Sequence, residues 1–437
     1  MNLFLMKKIK ILILLYCILF FPNIKAQEVL TLSDCIQKAL DANFGIKIAK
    51  NEEQIAKNNV NFRTFLPSIY ADATQREAFN NSKRVDANGN ESVFKNTQND
   101  NLNASVNLQW TLFDGCYMFV SHNKMKELAE MGELNTQWQV ENLVANVTAA
   151  YYNIWIQTQL LEATENIIEI SKMRFKIAQD KYAIGSMSGL DMRRSKIDLN
   201  ADSSLYMKQQ EMVARAYIQL NTLINGPLEK LNYVKDTLIL LPLLDYGQIK
   251  QQVLDNNLSL SMAKKGVRIS ELDLKMIRSS YFPVLQFNPG YQFSIASTPA
   301  AVTTYNRTNG FYWGFSLHVP IFSQNTVRTQ AKNAKLNIQN SELSYQELEL
   351  TVLSNLAELF ASYQNNHQLL AFEVQNMEVT YETLQSAIER YRIGTLSGLE
   401  FRDFQRSYID ALTRKMTAAY QAKVSEIAIL LLAGKLK

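Results

Sequence analysis

The sequence predicts a mainly α fold with membrane β-structure, built as two tandem structural repeats. Three observations predict it. The first is a duplicated phrase: KYAIGSMSGLD at 181–191 returns as RYRIGTLSGLE at 390–400, 209 residues later. Leu40-Asp41-Ala42-Asn43 returns as Leu254-Asp255-Asn256-Asn257, and Phe65-Leu66-Pro67 as Tyr281-Phe282-Pro283. LQWTLFDG (108–115) returns as LHVPIFSQ (317–324). A period of roughly 200 residues is one architectural unit made twice, not a short solenoid repeat. The second observation is strict alternation of apolar and polar residues in short stretches. The third is a pair of very long segments with seven-residue apolar spacing.

The chain opens with a basic group, Lys7, Lys8 and Lys10, then an apolar run from Ile11 to Phe21 ended by Pro22. That run is too short to span a bilayer, and small Ala26 precedes Gln27, so residues 1–26 read as a secretory signal peptide. Their removal takes Lys7, Lys8, Lys10 and Lys25, and the formal charge of +4 falls to zero. A neutral chain offers no electrostatic case for nucleic acid. Cys35 and Cys116 remain; they read as small buried hydrophobes or a pair, and their spacing suggests no disulfide framework or metal site.

The first repeat is expected over 27–226 and the second over 247–437, with a linker at 227–246. The first begins with a helix at roughly 33–64 that Ser33 caps and Pro67 ends. The second begins with one at roughly 247–280 before Pro283. Hairpins follow at 68–112 and 284–322. In 102–112, Leu102, Ala104, Val106, Leu108, Trp110 and Leu112 share one face, with Asn, Ser, Gln and Thr on the other. In 311–321, Phe311, Trp313, Phe315, Leu317, Val319 and Ile321 share a face. Such alternation suits a half-buried strand of a soluble sheet or a lipid-facing barrel strand. The aromatic faces, and the expected polar loops at 79–100 and 297–309, favour the barrel.

Long helices are expected at 117–183 and 324–392. Val140, Val147, Ile154, Leu161, Ile168, Phe175 and Tyr182 fall seven apart, as do Leu353, Phe360, His367, Val374, Tyr381 and Ile388. A second series, Leu370, Met377, Leu384 and Tyr391, brings the two heptads into register across the duplication. That spacing drives coiled-coil packing. The duplicated phrase lies where each long helix ends: Gly185 and Gly394 stop it, and Ser188 and Ser397 cap the helices at 191–224 and 400–432. In each half the two shorter helices together match the long one, as a wall of constant height requires. Four strands cannot close a barrel and an open edge cannot sit in lipid. Three chains would give about 12 strands and 12 helical staves.

The chain resembles the TolC-like outer-membrane efflux protein family over essentially all of the sequence after residue 26. The resemblance is carried by LTLSDCIQKALDAN (30–43), by LQWTLFDG and LHVPIFSQ, and by the phrases YAIGSMSGLD and YRIGTLSGLE. It implies a homotrimer with a 12-stranded β-barrel in outer-membrane lipid, continued by a long α-helical coiled-coil barrel in the periplasm. It also implies docking on a periplasmic adaptor linked to an inner-membrane pump. Carried over residue by residue, the docking tips are Tyr182, Gly185, Ser186, Tyr391, Gly394 and Thr395. The simpler reading is that these residues only build a tight turn. The pore constriction falls on Glu400 and Asp403, with Asp191 at the related position of the first tip. Glu400 and Asp403 are three apart on one helix face. Three copies would set six carboxylates around one axis, a cation-selective ring able to attract divalent ions. The plainer alternative is a solvated acidic pair where helix N-termini favour acids. TolC has a gating arginine two residues after the second tip glycine; here Leu396 stands there, which leaves Arg402 or Arg193 to hold the closed state.

No enzyme signature appears. His122, His318 and His367 are the only histidines, and no HExxH, P-loop or GxSxG pattern occurs. No cofactor is expected. The leading function is a passive export duct for small molecules such as drugs or metal ions. The alternatives are a type I protein-secretion duct and, from a different class, a non-channel structural coiled coil of the periplasm.

Overall fold

The computed structural model describes residues 29–229, 233–234, 236–299, 301 and 303–436. The segment read as a signal peptide lies outside them. In chain order the elements are β1 (Val29–Leu30), α1 (Leu32–Ala42), α2 (Phe44–Asn59), a 3-10 turn (Arg63–Phe65), β2 (Ser68–Val85) and β3 (Glu91–Asp114). Then come α3 (Tyr117–Ala183), α4 (Gly189–Leu223), β4 (Tyr233–Val234), α5 (Tyr246–Asn256) and α6 (Leu258–Ser279). The chain finishes with β5 (Val284–Phe287), β6 (Gly290–Ser297), β7 (Tyr305–Tyr312), β8 (Phe315–His318), α7 (Thr326–Arg392) and α8 (Gly398–Leu432). Two compact units result. Residues up to Ile48, Trp138–Asn257 and Val352 onward make one; Ala49–Gln137 and Leu258–Thr351 make the other.

The first unit is helical apart from the parallel pair β1–β4. Its largest core cluster gathers Leu30, Cys35, Val147, Tyr151, Ile154 and Leu220, all fully or almost fully buried. The Tyr151 hydroxyl donates to Leu30 O at 2.9 Å and to Asp236 Oδ2 at 3.0 Å, while Leu32 N donates to the same Asp236 oxygen at 2.8 Å. One carboxylate thus ties the β1–α1 junction and the segment after β4 to α3. Cys35 and Cys116 are both free, and Cys116 is exposed, so they do not pair. Burial pushes the Cys35 thiol up to about 12, which leaves it protonated and inert.

Both opening helices are broken where the sequence suggests continuity. The break at Asn43 separates α1 from α2, and the one at Asn257 separates α5 from α6. Asn43 has φ −61 and ψ 128, and Asn257 φ −62 and ψ 120, so neither is helical. Asn43 Oδ1 caps α2 by accepting from Gly45 N at 2.8 Å and Ile46 N at 3.3 Å. Its Nδ2 donates to Leu223 O, the last residue of α4, at 3.0 Å. Asn257 Nδ2 does the same to Leu432 O, the last residue of α8, at 3.0 Å. Asn43 therefore satisfies a carbonyl and amides that two helix ends would leave orphaned, and Asn257 satisfies the corresponding carbonyl at the end of α8.

The second unit holds an antiparallel sheet in the order β7-β6-β3-β5-β8, with β2 on the other side of β3. β5 and β6 are one line of chain interrupted at Asn288-Pro289, and β7 and β8 another interrupted at Trp313-Gly314. Pro289 has no N–H to give the ladder, but its carbonyl accepts from Leu108 N at 2.9 Å, so the register survives. The sheet is four chain passes wide. The expected hairpin at 284–322 is shorter than its alternation: strand stops at His318, before Pro320.

Residues 79–100, expected as a loop, are mostly strand. β2 is 18 residues long and β3 is 24, and they pair from Ser68↔Gln109 to Val85↔Glu91. The turn is only 86–90, where Asp86 Oδ1 accepts from Asn88 N at 2.9 Å and Asn90 N at 2.8 Å. Likewise the expected loop at 297–309 yields strand from Tyr305.

The two faces of the sheet differ chemically. Ile69, Ala71 and Ala73 pair with Leu108, Val106 and Ala104, and the last two pair onward with Tyr291 and Phe293. The other face carries Ser68, Tyr70, Asp72 and Thr74 beside Asn103, Ser105, Asn107 and Gln109. Hydrogen bonds cross it from strand to strand: Asn107 Nδ2 to Asp72 at 3.1 Å, Tyr312 Oη to Asn107 Oδ1 at 2.6 Å, and Ser294 Oγ to Asn103 Oδ1 at 2.7 Å. Gly290 is required under Tyr312, since a Cβ there would lie 2.6 Å from the phenol ring.

Replacing Asn43 or Asn257 by Ala should lower stability by about 1 kcal/mol each, the usual cost of a lost cap. Denaturant midpoints check this, and equal, additive losses are expected because the two junctions are chemically alike.

Candidate functional site

The candidate site is the pair of turns that reverse the long helices. They are built by the same bonds. In the first, Gly185 N donates to Tyr182 O at 3.0 Å and Ser186 N to Lys181 O at 2.9 Å. In the second, Gly394 N donates to Tyr391 O at 3.2 Å and Thr395 N to Arg390 O at 2.9 Å. This is the Schellman closure, and it needs a left-handed residue after the helix. Gly185 has φ +75 and Gly394 φ +84, values that cost an L side chain strain. Ser186 and Thr395 add a second bond, each hydroxyl donating to the same carbonyl at 3.1 Å.

Three residues after each glycine a serine starts the next helix. Asp191 N donates to Ser188 Oγ at 3.1 Å, and Glu400 N to Ser397 Oγ at 3.2 Å. The acidic side chains close the caps from the other side. Ser188 Oγ donates to Asp191 Oδ2 at 2.7 Å, and Ser397 N donates to Glu400 Oε2 at 3.0 Å. The bonds from Ser397 hold the exposed Glu400 carboxyl below the usual carboxylate range. Asp191, Glu400 and Asp403 are all exposed. The structure therefore gives Asp191 and Glu400 a capping role, and leaves Asp403 exposed on the first turns of α8.

The six tip residues separate by burial. Tyr182 is 50% exposed, whereas Tyr391 is 2% exposed. Tyr391 packs with Ile167, Leu384, Ile388, Leu396 and Phe401, so its ring supports the second turn from inside. Leu396, at the position where the resemblance places an arginine, belongs to that same core. Arg193 is exposed, and Arg402 turns inward.

Arg402 belongs to a buried polar cluster that the sequence reading missed. Its Nη1 lies 2.7 Å from Asp202 Oδ2 and donates to Gln405 Oε1 at 3.1 Å. Asp202 also accepts from Ser171 Oγ at 2.5 Å, and Gln405 Nε2 donates to Ser171 Oγ at 2.9 Å. Arg174 Nη2 pairs with Asp198 Oδ2 at 2.7 Å. Two arginines and two aspartates from α3, α4 and α8 so lock these helices together behind the turns. The heptad Ile168–Phe175–Tyr182 hid them, because the buried stripe runs one residue earlier, through Ile167, Ser171, Arg174 and Ala178. The signal available was spacing: Ser171 and Arg174, Asp198 and Asp202, and Arg402 and Gln405 each share a helix face.

Comparison with known proteins fits this architecture. The sequence model of the family described as outer membrane efflux protein matches residues 35–226 and again 249–435. The chain belongs to the outer membrane efflux protein family. It is accordingly an outer-membrane efflux protein and not an enzyme, which sets aside a structural coiled coil of the periplasm. It is 22% identical over 291 residues to the cation efflux system protein CusC of Escherichia coli, covering 66% of this chain and 63% of CusC. It is 20% identical over 278 residues to the probable efflux pump outer membrane protein TtgC of Pseudomonas putida, covering 62% of this chain and 55% of TtgC. The match thus spans less than two thirds of these relatives' length. In three dimensions the crystal structure of CusC aligns with TM-score 0.74 at 18% identity, over 92% of this chain and 91% of that one. The outer membrane channel CmeC of Campylobacter jejuni aligns with TM-score 0.76 at 15% identity, over 92% and 85%. At these identities the likeness establishes the shared fold. Among the described residues no helix is long and apolar enough to cross a membrane, and no His, Cys, Asp and Glu group could hold a metal ion.

In this family member the polar lock should carry much of the stability of the turn region. Asp202→Ala strands Arg402 and Ser171 in a buried site and should cost about 3–5 kcal/mol. Thermal unfolding of the detergent-solubilised protein checks it, with the exposed substitution Asp403→Ala near zero as the control.

Proposed function

We propose that the chain is the outer-membrane channel of a tripartite export system, a passive duct fed by an inner-membrane pump and a periplasmic adaptor. The observation that carries this reading is the sheet of the second unit. Its polar face is laced by side-chain hydrogen bonds, its other face is apolar and exposed, and its outer lines, β2 and β7–β8, each have one unpaired edge among the described residues. Unpaired N–H and C=O groups are not tolerated in hydrocarbon. A homotrimer with four passes per chain closes a barrel of about 12 strands, apolar face to lipid and polar face to a wet lumen. Helices α3 and α7 are 67 residues each, about 100 Å at 1.5 Å per residue, enough for a helical barrel across the periplasm. The repeats at 27–226 and 247–437, joined by the linker 227–246, are supported by the two matched ranges and by the common bonding of the two turns.

The cargo class is proposed from the relatives: CusC is a cation efflux system protein and ArpC of Pseudomonas putida an antibiotic efflux pump outer membrane protein, so metal ions or drugs are the substrates in this reading. Glu400, Asp403 and Asp191 narrow the periplasmic entrance in this reading. Tyr182, Gly185, Ser186, Gly394 and Thr395 present the adaptor-docking tips, with Tyr391 as their internal support.

Conductance in planar bilayers tests the constriction. Replacing Glu400 with Gln and Asp403 with Asn together should weaken cation selectivity and block by divalent ions; unchanged selectivity would remove these residues from the pore. The pH dependence has a definite sign. Glu400 is more acidic when folded than its free value of 4.5, so it stays charged, and its cap intact, above that value. Both are lost as pH falls through the lower folded value. Wild-type selectivity should therefore persist from pH 7 to pH 5 and decline only below about pH 4.5.

A further inference from the structure

Strands β2 and β3 run on beyond their pairing with β6 as a two-stranded ribbon that ends at the turn 86–90. This is the end of the sheet away from α2 and α3. Its polar face holds a groove of about 400 Å³, lined by Arg76, Asn80, Ser82 and Arg84 from β2 and by Thr97 and Asn101 from β3. The β2 residues extend the row of Ser68, Tyr70, Asp72 and Thr74, since alternate residues of a strand share a face. The shift in pairing between Asn80 and Ser82 leaves β2 in phase, so Arg84 stays in that row. Its guanidinium carbon lies 5.8 Å from the Phe94 ring centre. Among the described residues neither Arg76 nor Arg84 makes an ion pair or a hydrogen bond.

The carboxylates near these arginines are engaged elsewhere or point away. Asp72, on the same face, accepts from Asn107 Nδ2 at 3.1 Å. Asp86 lies in the turn and accepts from Asn88 N at 2.9 Å, Asn90 N at 2.8 Å and Asn90 Nδ2 at 2.9 Å. Glu77, Asp100 and Glu91 stand on the opposite face, Glu77 paired across the strands with Asp100 and Glu91 bridged to Lys83 at 2.7 Å. A second copy adds no acid. The outer lines of the sheet are β2 and β7–β8, and residues 284–322, which include β7–β8, contain no Asp or Glu. Two guanidinium groups are left among neutral hydroxyls and amides. The guanidinium fork matches the oxygens of carboxylate, sulfonate and phosphate groups, and a like-charged stretch of channel wall concentrates ions of the other sign.

We propose that this groove is an anion-attracting station on the duct wall, where Arg76 and Arg84 hold small organic anions in passage. Its sign is opposite to that of Glu400 and Asp403. The proposal rests on the reading of the polar face as the lumen wall and names what that wall selects.

Thiol reaction rates measure the charge of the groove directly. Asn80 is exposed between the two arginines along β2. Asn80→Cys in a Cys116→Ser chain places a reactive thiol there, while Cys35 stays buried. The full detergent-solubilised chain at low ionic strength is treated with an anionic and a cationic methanethiosulfonate. The rate ratio should favour the anionic reagent about tenfold over the ratio for free mercaptoethanol, as two nearby unit charges in water imply. Arg76→Gln with Arg84→Gln should abolish the preference. Arg76→Lys with Arg84→Lys should keep it, which separates charge from shape. Citrate should slow the anionic reagent more than chloride at equal ionic strength, and only where the arginines are present. A ratio no higher than that of mercaptoethanol overturns the proposal, as does a preference that survives the glutamine pair. Equal effects of citrate and chloride overturn it too, by reducing the groove to a screened surface. The duct reading fails separately. In a planar bilayer, attaching the anionic reagent to the thiol at position 80 should change the conductance. An unchanged conductance takes the polar face out of the lumen, whatever charge the groove carries.

Discussion

The structure depends on one constraint: backbone N–H and C=O groups that leave water must be paired. The sheet meets it along every internal line and leaves it unmet along the outer edges of β2 and β7–β8. Everything proposed about assembly comes from those edges. A sheet with one polar and one exposed apolar face suits a barrel wall between lipid and water. In the proposed assembly copies pair edge to edge, and the four-pass width then sets how many copies close the ring. The interruptions at Pro289 and Gly314 do not release the constraint, because Leu108 N finds Pro289 O and Asn288 N finds Gly314 O.

The same accounting governs the helix ends. Asn43 serves as stop, start and external cap at its junction of helices, and Asn257 as stop and external cap at the other. At the turns, glycine permits the closure, serine begins the next helix, and Asp191 or Glu400 completes the cap. A carboxylate that caps is not thereby removed from a pore. Glu400 remains exposed and more acidic than a free glutamate, so one group can hold its helix and present charge to a passing cation. Behind the turns, Leu396 fills with apolar packing a position where an arginine would be a partner in an ion pair, and the ion pairs lie instead between Arg402, Arg174, Asp198 and Asp202. The two turns are alike in backbone and unlike in what supports them.

Much of this was legible in the sequence. The glycine and serine of each turn have few alternative uses at that spacing, and apolar alternation in 102–112 and the aromatic second hairpin announced the strands. What was not legible has physical causes. The ribbon at 79–100 is mostly polar, with Phe79, Val85, Val93 and Phe94 too scattered to give the hydrophobic period by which strands are found. Asn43 and Asn257 lie inside stretches with helical patterning, and only their distant partners, Leu223 and Leu432, show why the chain breaks there. The Ser171–Arg174 stripe is polar at core positions, and an apolar heptad search passes over such residues. Tyr182 and Tyr391 match in sequence yet differ in burial, because burial is set by the rest of the fold.

The central claim is that several copies close one barrel. The native mass of the particle extracted in detergent tests it most directly, by counting chains of at most 50.0 kDa. Three chains per particle, dissociating only with loss of sheet signal, is the predicted result. A stable single chain that keeps its sheet in detergent would contradict the account.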